Sequence, residues 1–88
     1  MTNVTIYTKD YCPYCARAKA LLNSKGISYQ EIDVTNDEAL QVEMMDRSQQ
    51  RTVPQIFIGE QHVGGSDDLR ALEQSGELDR IFETTAAA

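Results

Sequence analysis

Residues 11–15 read Tyr11-Cys12-Pro13-Tyr14-Cys15, "YCPYC", and hold both cysteines of the 88-residue chain. The residues on either side decide what this stretch is. Upstream, Val4 to Thr8 is predicted as a strand, with Val4 and Ile6 on one face. Pro13 suits the first turn of a helix, because it lacks only an N–H that would be unpaired there. Downstream, Ala16 to Lys25 carries helix formers, with Ala18, Leu21 and Leu22 on one face, and Gly26 is a natural stop. The cysteines therefore stand where a strand gives way to a helix. Cys12 falls near the N-cap and Cys15 one turn further on.

The rest of the chain alternates in the same way. Ile27 to Asp33 reads as a second strand. Thr35-Asn36-Asp37-Glu38 fits a capping box and opens a helix to about Ser48. Gln55 to Ile58 is a third strand, and a turn at Gly59-Glu60 leads to a short fourth at Gln61 to Val63. Gly64-Gly65-Ser66-Asp67 runs into a helix carrying Leu69 and Leu72. Gly76 interrupts it, and Leu78, Ile81 and Phe82 continue an apolar face. The order is β-α-β-α-β-β-α. The first two strands, joined by a helix, should be parallel through a right-handed crossover. The last two should form an antiparallel hairpin. The expectation is an α/β fold: one domain over residues 1–83, a four-stranded mixed sheet with helices on both faces, and a frayed tail at 84–88.

Composition narrows the setting. No apolar run exceeds three residues, which excludes a transmembrane helix. The start, "MTNVTIYTKD", has neither a basic head nor an apolar stretch, so a cytoplasmic location is expected. A structural disulfide is a poor reading of two cysteines in such a chain. A bond closing so short a loop would also constrain the unfolded chain little. The net charge of −6 is uneven: residues 1–30 carry four Lys/Arg and one Asp, giving +3, and residues 31–88 carry four Lys/Arg and thirteen Asp/Glu, giving −9. The acidic majority argues against nucleic acid and anionic membranes as partners. The basic excess flanks the cysteines.

C-x-x-C has three physical uses. A zinc site needs about four ligands, and only His62 is available beside the cysteines, so no metal site is expected. Two chance core thiols would be a poor fit to such flanking residues. The redox reading fits the local structure. At a helix N-terminus, unpaired N–H groups and the helix dipole favour negative charge, which should depress the Cys12 pKa; the thiolate is the attacking species. Lys9 adds a cation nearby. Cys15, more enclosed, should stay protonated longer. That asymmetry makes Cys12 the nucleophile and Cys15 the resolving thiol, reaching back to release a mixed disulfide. A C-x-x-C near a βαβ pattern is a thioredoxin-like signal.

"CPYC" (12–15), "TVP" (52–54) and "GGSDD" (64–68), in this order and spacing, resemble the small dithiol glutaredoxins of bacteria. The likeness runs from about Val4 to Phe82. The relative thioredoxin has Trp before its active-site motif, and this chain has no Trp. Ser66 stands where the family often has a further Cys, which removes a third thiol. The resemblance implies a thioredoxin-like fold, no tightly bound cofactor and glutathione as co-substrate. Its partners would be disulfide-bonded or glutathionylated proteins, and the chain would act as a monomer. It also implies a glutathione site. Glutathione, γ-Glu-Cys-Gly, has two carboxylates and one amine. Val53 would offer its backbone to the cysteine part, before a cis Pro54. The N–H groups of Ser66 and Asp67, next to Gly65, would hold the γ-Glu carboxylate, and the Asp67 side chain would face its amine. Lys9 would meet the glycine carboxylate, helped by Arg51 and Arg47. Thr52 belongs to the same loop, and Tyr14 would line the groove. His62 reads as a surface or strand-edge residue with no catalytic part, Met44 and Met45 as helix packing, and Tyr7 and Tyr29 as strand residues.

The expected activity is glutathione-dependent thiol–disulfide exchange, at the family's potential of about −200 to −230 mV. Two rival readings remain at this level. One is a redoxin reduced by thioredoxin reductase, which the Lys9, "TVP" and "GGSD" set disfavours. The other is a glutathione-ligated [2Fe–2S] carrier, which Pro13 disfavours by stiffening the loop.

Overall fold

The computed structural model describes residues 3–86, with side chains through Ile81. Four strands, β1 (Val4–Thr8), β2 (Gln30–Asp33), β3 (Gln55–Ile58) and β4 (Gln61–Gly64), form one sheet in the order β2-β1-β3-β4. β2 is parallel to β1, while β3 is antiparallel to both β1 and β4. Helices α1 (Pro13–Ser24), α2 (Glu38–Ser48), α3 (Ser66–Ser75) and α4 (Glu77–Ala86) complete the chain. This is the expected mixed α/β sheet.

The two central strands explain the layering. β1 and β3 are buried almost throughout, so their alternating side chains feed a core on each face. Val4, Ile6, Ile56 and Ile58 meet Ala18 and Leu22 of α1, Leu69 of α3 and Leu78 of α4 on one side. Tyr7 and Phe57 meet Val34 and Met44 of α2 on the other. Each buried Val, Leu, Ile, Phe or Met among them contributes about 1.5–3 kcal/mol by leaving water. Met44 is therefore packing, as its sequence position implied, and Met45 lies beside it.

Several boundaries differ from expectation, each for a local reason. The start of α1 is not among them: it begins at Pro13 with Cys12 as its cap, as the proline implied. β2 begins at Gln30 rather than Ile27. The Ile27 N–H is taken by the Leu22 carbonyl (2.9 Å), which closes α1 instead of joining the sheet. α2 is capped by Asp37, whose carboxylate accepts from Leu40 N–H (3.0 Å), not by Thr35. Thr35 is engaged elsewhere: its hydroxyl oxygen accepts from Asp10 N–H (2.8 Å). β4 extends to Gly64 across a register shift opposite Ile56/Phe57. Three of the five residues read as a tail, 84–86, continue α4; residues 87 and 88, and the Phe82 side chain, lie outside the described part.

Candidate active site

β1 ends at Thr8, and the chain turns over before α1 begins. Tyr11 makes the turn at φ 55°, in the left-handed region that an L side chain disfavours. Its ring is fully exposed. The turn sets Cys12 in extended conformation at the α1 N-cap with Pro13 directly after it. Cys12 Sγ accepts from the Cys15 N–H at 3.2 Å. The Cys12 thiol also lies 3.9 Å from the Val53 carbonyl oxygen, a long contact. Both thiols are free. Cys12 is half-buried, while Cys15 is only 2% exposed. Burial, and then the hydrogen bond to Cys12, push the Cys15 thiol up to about 12. One sulfur is thus open to a substrate, and the other is enclosed and protonated at neutral pH.

Val53 is brought to Cys12 by the loop after α2, and its peptide bond to Pro54 is cis. A buried amide holds that loop. Gln55, fully buried, donates from Nε2 to the Thr52 carbonyl (2.9 Å) and to Gln50 Oε1 (3.1 Å). Its Oε1 lies 2.7 Å from His62 Nε2. His62 in turn stacks on Phe57, with ring centroids 4.9 Å apart. Ser48 anchors the start of the loop, accepting from the Gln50 N–H at 3.1 Å.

The third segment abuts the second. A Cβ placed on Gly65 would lie 3.6 Å from the Pro54 carbonyl oxygen, so the two backbones run side by side. Gly64 takes φ +119°, and a Cβ there would meet Asp68 Cγ at 2.8 Å. That close approach leaves Asp68 free to accept from Gly65 N–H (2.9 Å). Ser66 and Asp67 are the first residues of α3, where N–H groups have no partner within the helix. Cys12, Val53, Pro54 and Gly65 therefore form one continuous strip of thiol sulfur and polar backbone.

The other expected site residues fall around this strip. Lys9 shares a depression of about 550 Å³ with both cysteines, on the side facing β2. Tyr14 is half-exposed, with the Arg17 guanidinium 5.5 Å from its ring centroid. Thr52 and Arg51 are exposed on the loop that carries Val53. Ser66 and Asp67 also border a smaller groove of about 300 Å³ with Arg17 and Arg70. Arg47 is committed to packing: it lies 4.2 Å from the Phe57 ring centroid and donates to Tyr7 Oη at 2.6 Å. Among the described residues, no three His, Cys, Asp or Glu are placed to hold a metal ion.

Sequence reading missed two supports of the site. Gln55 was only the first residue of a strand; the available signal was a polar side chain in a strand buried on both faces, which needs internal partners. Thr35 has the sequence position of a helix cap. In the fold it links β2 to the active-site turn, donating its N–H to Asp33 Oδ1 (2.8 Å) and accepting from Asp10.

The chain is similar to known proteins. A family model described as glutaredoxin matches residues 4–63. Glutaredoxin 3 of Escherichia coli strain K12 is 57% identical over 83 residues, covering 94% of this chain and all of that protein. A solution structure of glutaredoxin from Brucella melitensis is 55% identical, with a TM-score of 0.84 over 97% of this chain and 92% of that one. A crystal structure titled as a buckwheat glutaredoxin–glutathione complex is 32% identical, with a TM-score of 0.86 over 98% of this chain and 81% of that one. With the cysteine pair, the loop at Val53-Pro54 and the start of α3 assembled as described, the chain belongs to the glutaredoxin family and is a thiol–disulfide oxidoreductase.

Proposed function

We propose that this protein reduces protein–glutathione mixed disulfides and protein disulfides, with glutathione as the electron donor. The observation that carries the reading is the unlike burial of two sulfurs one helical turn apart. Cys12 is reachable and accepts an N–H from the helix start, whereas Cys15 is enclosed. In the one-thiol path the Cys12 thiolate attacks the glutathione sulfur of the mixed disulfide, and the protein thiol leaves. A second glutathione then attacks the Cys12 adduct, releasing glutathione disulfide and restoring Cys12. In the two-thiol path Cys12 attacks a protein disulfide. Cys15 then attacks Cys12, the Cys12–Cys15 bond forms, and the second protein thiol leaves. Two glutathiones reduce that bond.

Glutathione would lie along the strip from Cys12 to α3. The Val53 backbone would pair with its cysteine part. The free N–H groups of Ser66 and Asp67 suit its γ-Glu carboxylate, since a helix start attracts anions and Gly65 permits close approach. Lys9 would take the glycine carboxylate, with Arg51 and Thr52 on the facing loop and Tyr14 over the groove. These cations act at short range; the repulsion of an acidic protein for an anionic ligand is screened beyond about 8–10 Å at physiological salt. The buckwheat relative solved with glutathione supports glutathione as the ligand. The protein works as a one-domain monomer in the cytoplasm, without a tightly bound cofactor, on thiol and disulfide partners rather than nucleic acid or membranes.

The test is a pair of substitutions read on two substrates. Cys12→Ser should abolish turnover of both a glutathionylated protein and a disulfide-bonded protein. Cys15→Ser should spare the first and lose the second. Equal loss of both activities in Cys15→Ser would refute the division of roles.

A further inference from the structure

Resolution asks a buried thiol to act as a nucleophile, and the structure holds one device suited to help. The depression beside the cysteines is lined on its far side by Lys19 of α1 and Glu31 of β2. Lys19 lies four residues after Cys15, hence on the same helix face. Its ammonium meets Glu31 Oε2 at 3.0 Å. The same oxygen accepts from Thr8 Oγ1 at 2.7 Å, and Thr8 is buried at the end of β1. Glu31 is thus fixed from the sheet, and Lys19 is fixed by Glu31 in the depression that Cys15 also lines.

We propose that Lys19, tethered through Glu31 to Thr8, is the supporting cation for the Cys15 thiolate when Cys15 attacks the Cys12 mixed disulfide and when it leaves on reduction. The inference rests on the reading of Cys15 as the resolving thiol. In the forward step the Cys15 proton passes to solvent in the open depression. Its sulfur bonds to Cys12 Sγ, the bond from Cys12 to the substrate sulfur breaks, and the substrate leaves as a thiolate that takes up a proton. The two electrons come from the Cys12–Cys15 pair. In the reverse step glutathione attacks Cys12 and Cys15 departs with the electron pair, so the same cation assists both directions.

The electrostatics agree. The Cys15 thiol is raised first by burial and then by Cys12, while the Lys9 backbone and the Lys19 charge oppose that rise. The hydrogen bond to Glu31 raises Lys19 and keeps it charged. The other charged groups of the depression are Lys9 on its near rim and the carboxylates of Asp10 and Asp33. The carboxylates oppose a thiolate, and Lys19 offsets Glu31 as well. Removing Lys19 would leave the Glu31 charge uncompensated in the depression that Cys15 lines. The pair itself is partly exposed and contributes little to stability, so the protein should tolerate its loss.

The test is rapid mixing of the reduced protein with one equivalent of Ellman's reagent, following released thionitrobenzoate. A first phase reports attack by Cys12, and a second reports attack by Cys15 on the Cys12 adduct. Lys19→Met should leave the first phase unchanged and slow the second. Lys19 is the smallest of the influences on Cys15, and each tenfold loss of thiolate is offset by about a threefold gain in intrinsic nucleophilicity, so a net fall of about twofold to threefold is expected. Lys19→Arg should restore the second phase. The proposal is overturned if the second phase is unchanged in Lys19→Met. It is also overturned if both phases slow together, which would mean that Lys19 attracts the anionic reagent, or if Lys19→Arg is as slow as Lys19→Met. Cys15→Ser separates the two layers of argument: it should release a single equivalent, and a persisting second phase would refute the resolving role itself rather than the part of Lys19.

Discussion

Cys12 and Cys15 differ by one helical turn, and that turn separates a reachable sulfur from an enclosed one. The difference was legible in the sequence. Pro13 marks the helix start, and the spacing then assigns one thiol to the N-cap and the other to the inner face. Gln55 was not legible in this way. Its partners, Gln50, Thr52 and His62, lie within seven residues of it, but the shape of the loop and hairpin that aims them at its amide has no pattern in the chain. Gln55→Leu should keep the volume while leaving the His62 ring and the Thr52 carbonyl without their partner. The expected cost is about 1–3 kcal/mol in urea unfolding, because buried polar groups lose their hydrogen bonds. The KM for glutathione should rise as well, since Val53 sits on the loosened loop. Lost stability with an unchanged KM would show that the loop keeps its shape without Gln55.

The elements were read well where hydrophobic periodicity decided them and less well where a side chain had two possible partners. Thr35 is the clearest case. Its position before an acidic pair suggests a capping box, but the hydroxyl ties the active-site turn to β2 while Asp37 caps α2. The start of β2 was misplaced for a similar reason: Ile27 is β-branched and strand-like in sequence, yet it closes α1 through Leu22. Two substitutions probe element ends. Gln49 caps α2 at φ 60°. Gln49→Gly should remove backbone strain at the expense of one side-chain hydrogen bond to Asp46, for a net gain of about 0.5 kcal/mol in chemical unfolding. Gly64→Ala should do the reverse at the start of α3. An added methyl meets Asp68 in a backbone conformation reserved for glycine, at a cost of about 1–3 kcal/mol. It should also displace Asp68 from the Gly65 N–H and raise the KM for glutathione. A variant as stable and active as the parent would contradict the close packing described here.

At the scale of the whole molecule, titrating groups at the site couple its chemistry to its stability. The hydrogen bond from Thr8, together with Lys19, holds the Glu31 carboxyl below its ordinary value against the opposing effect of burial. A depressed carboxylate stabilises the fold above its unfolded value of 4.5, and that contribution is lost as pH falls through the lower folded value. Cys15 has the opposite sign. Raised from 9.0 to about 12, it contributes fully below pH 9 and loses that contribution as pH rises towards 12. The urea midpoint of the reduced protein should therefore fall at both ends. Glu31→Gln should flatten the acid limb, and Cys15→Ala the alkaline one. Unaltered limbs in these variants would assign the pH dependence to other groups. The overall architecture was legible because each strand and helix carries its own period and the crossover rule leaves few ways to join them. The nearness of Pro54 to Gly65 follows from the β3–β4 hairpin, but the approach of Val53 to Cys12 was not legible, since it brings a loop to a helix start 41 residues away. The central claim is that this assembled strip makes Cys12 a glutathione-dependent catalyst. The most direct measurement is NADPH consumption with a glutathionylated protein, glutathione and glutathione reductase, run beside a reaction in which thioredoxin reductase replaces both. Steady turnover with glutathione that vanishes in Cys12→Ser is the expected result. No turnover from folded, reduced protein, or turnover only with thioredoxin reductase, would contradict it.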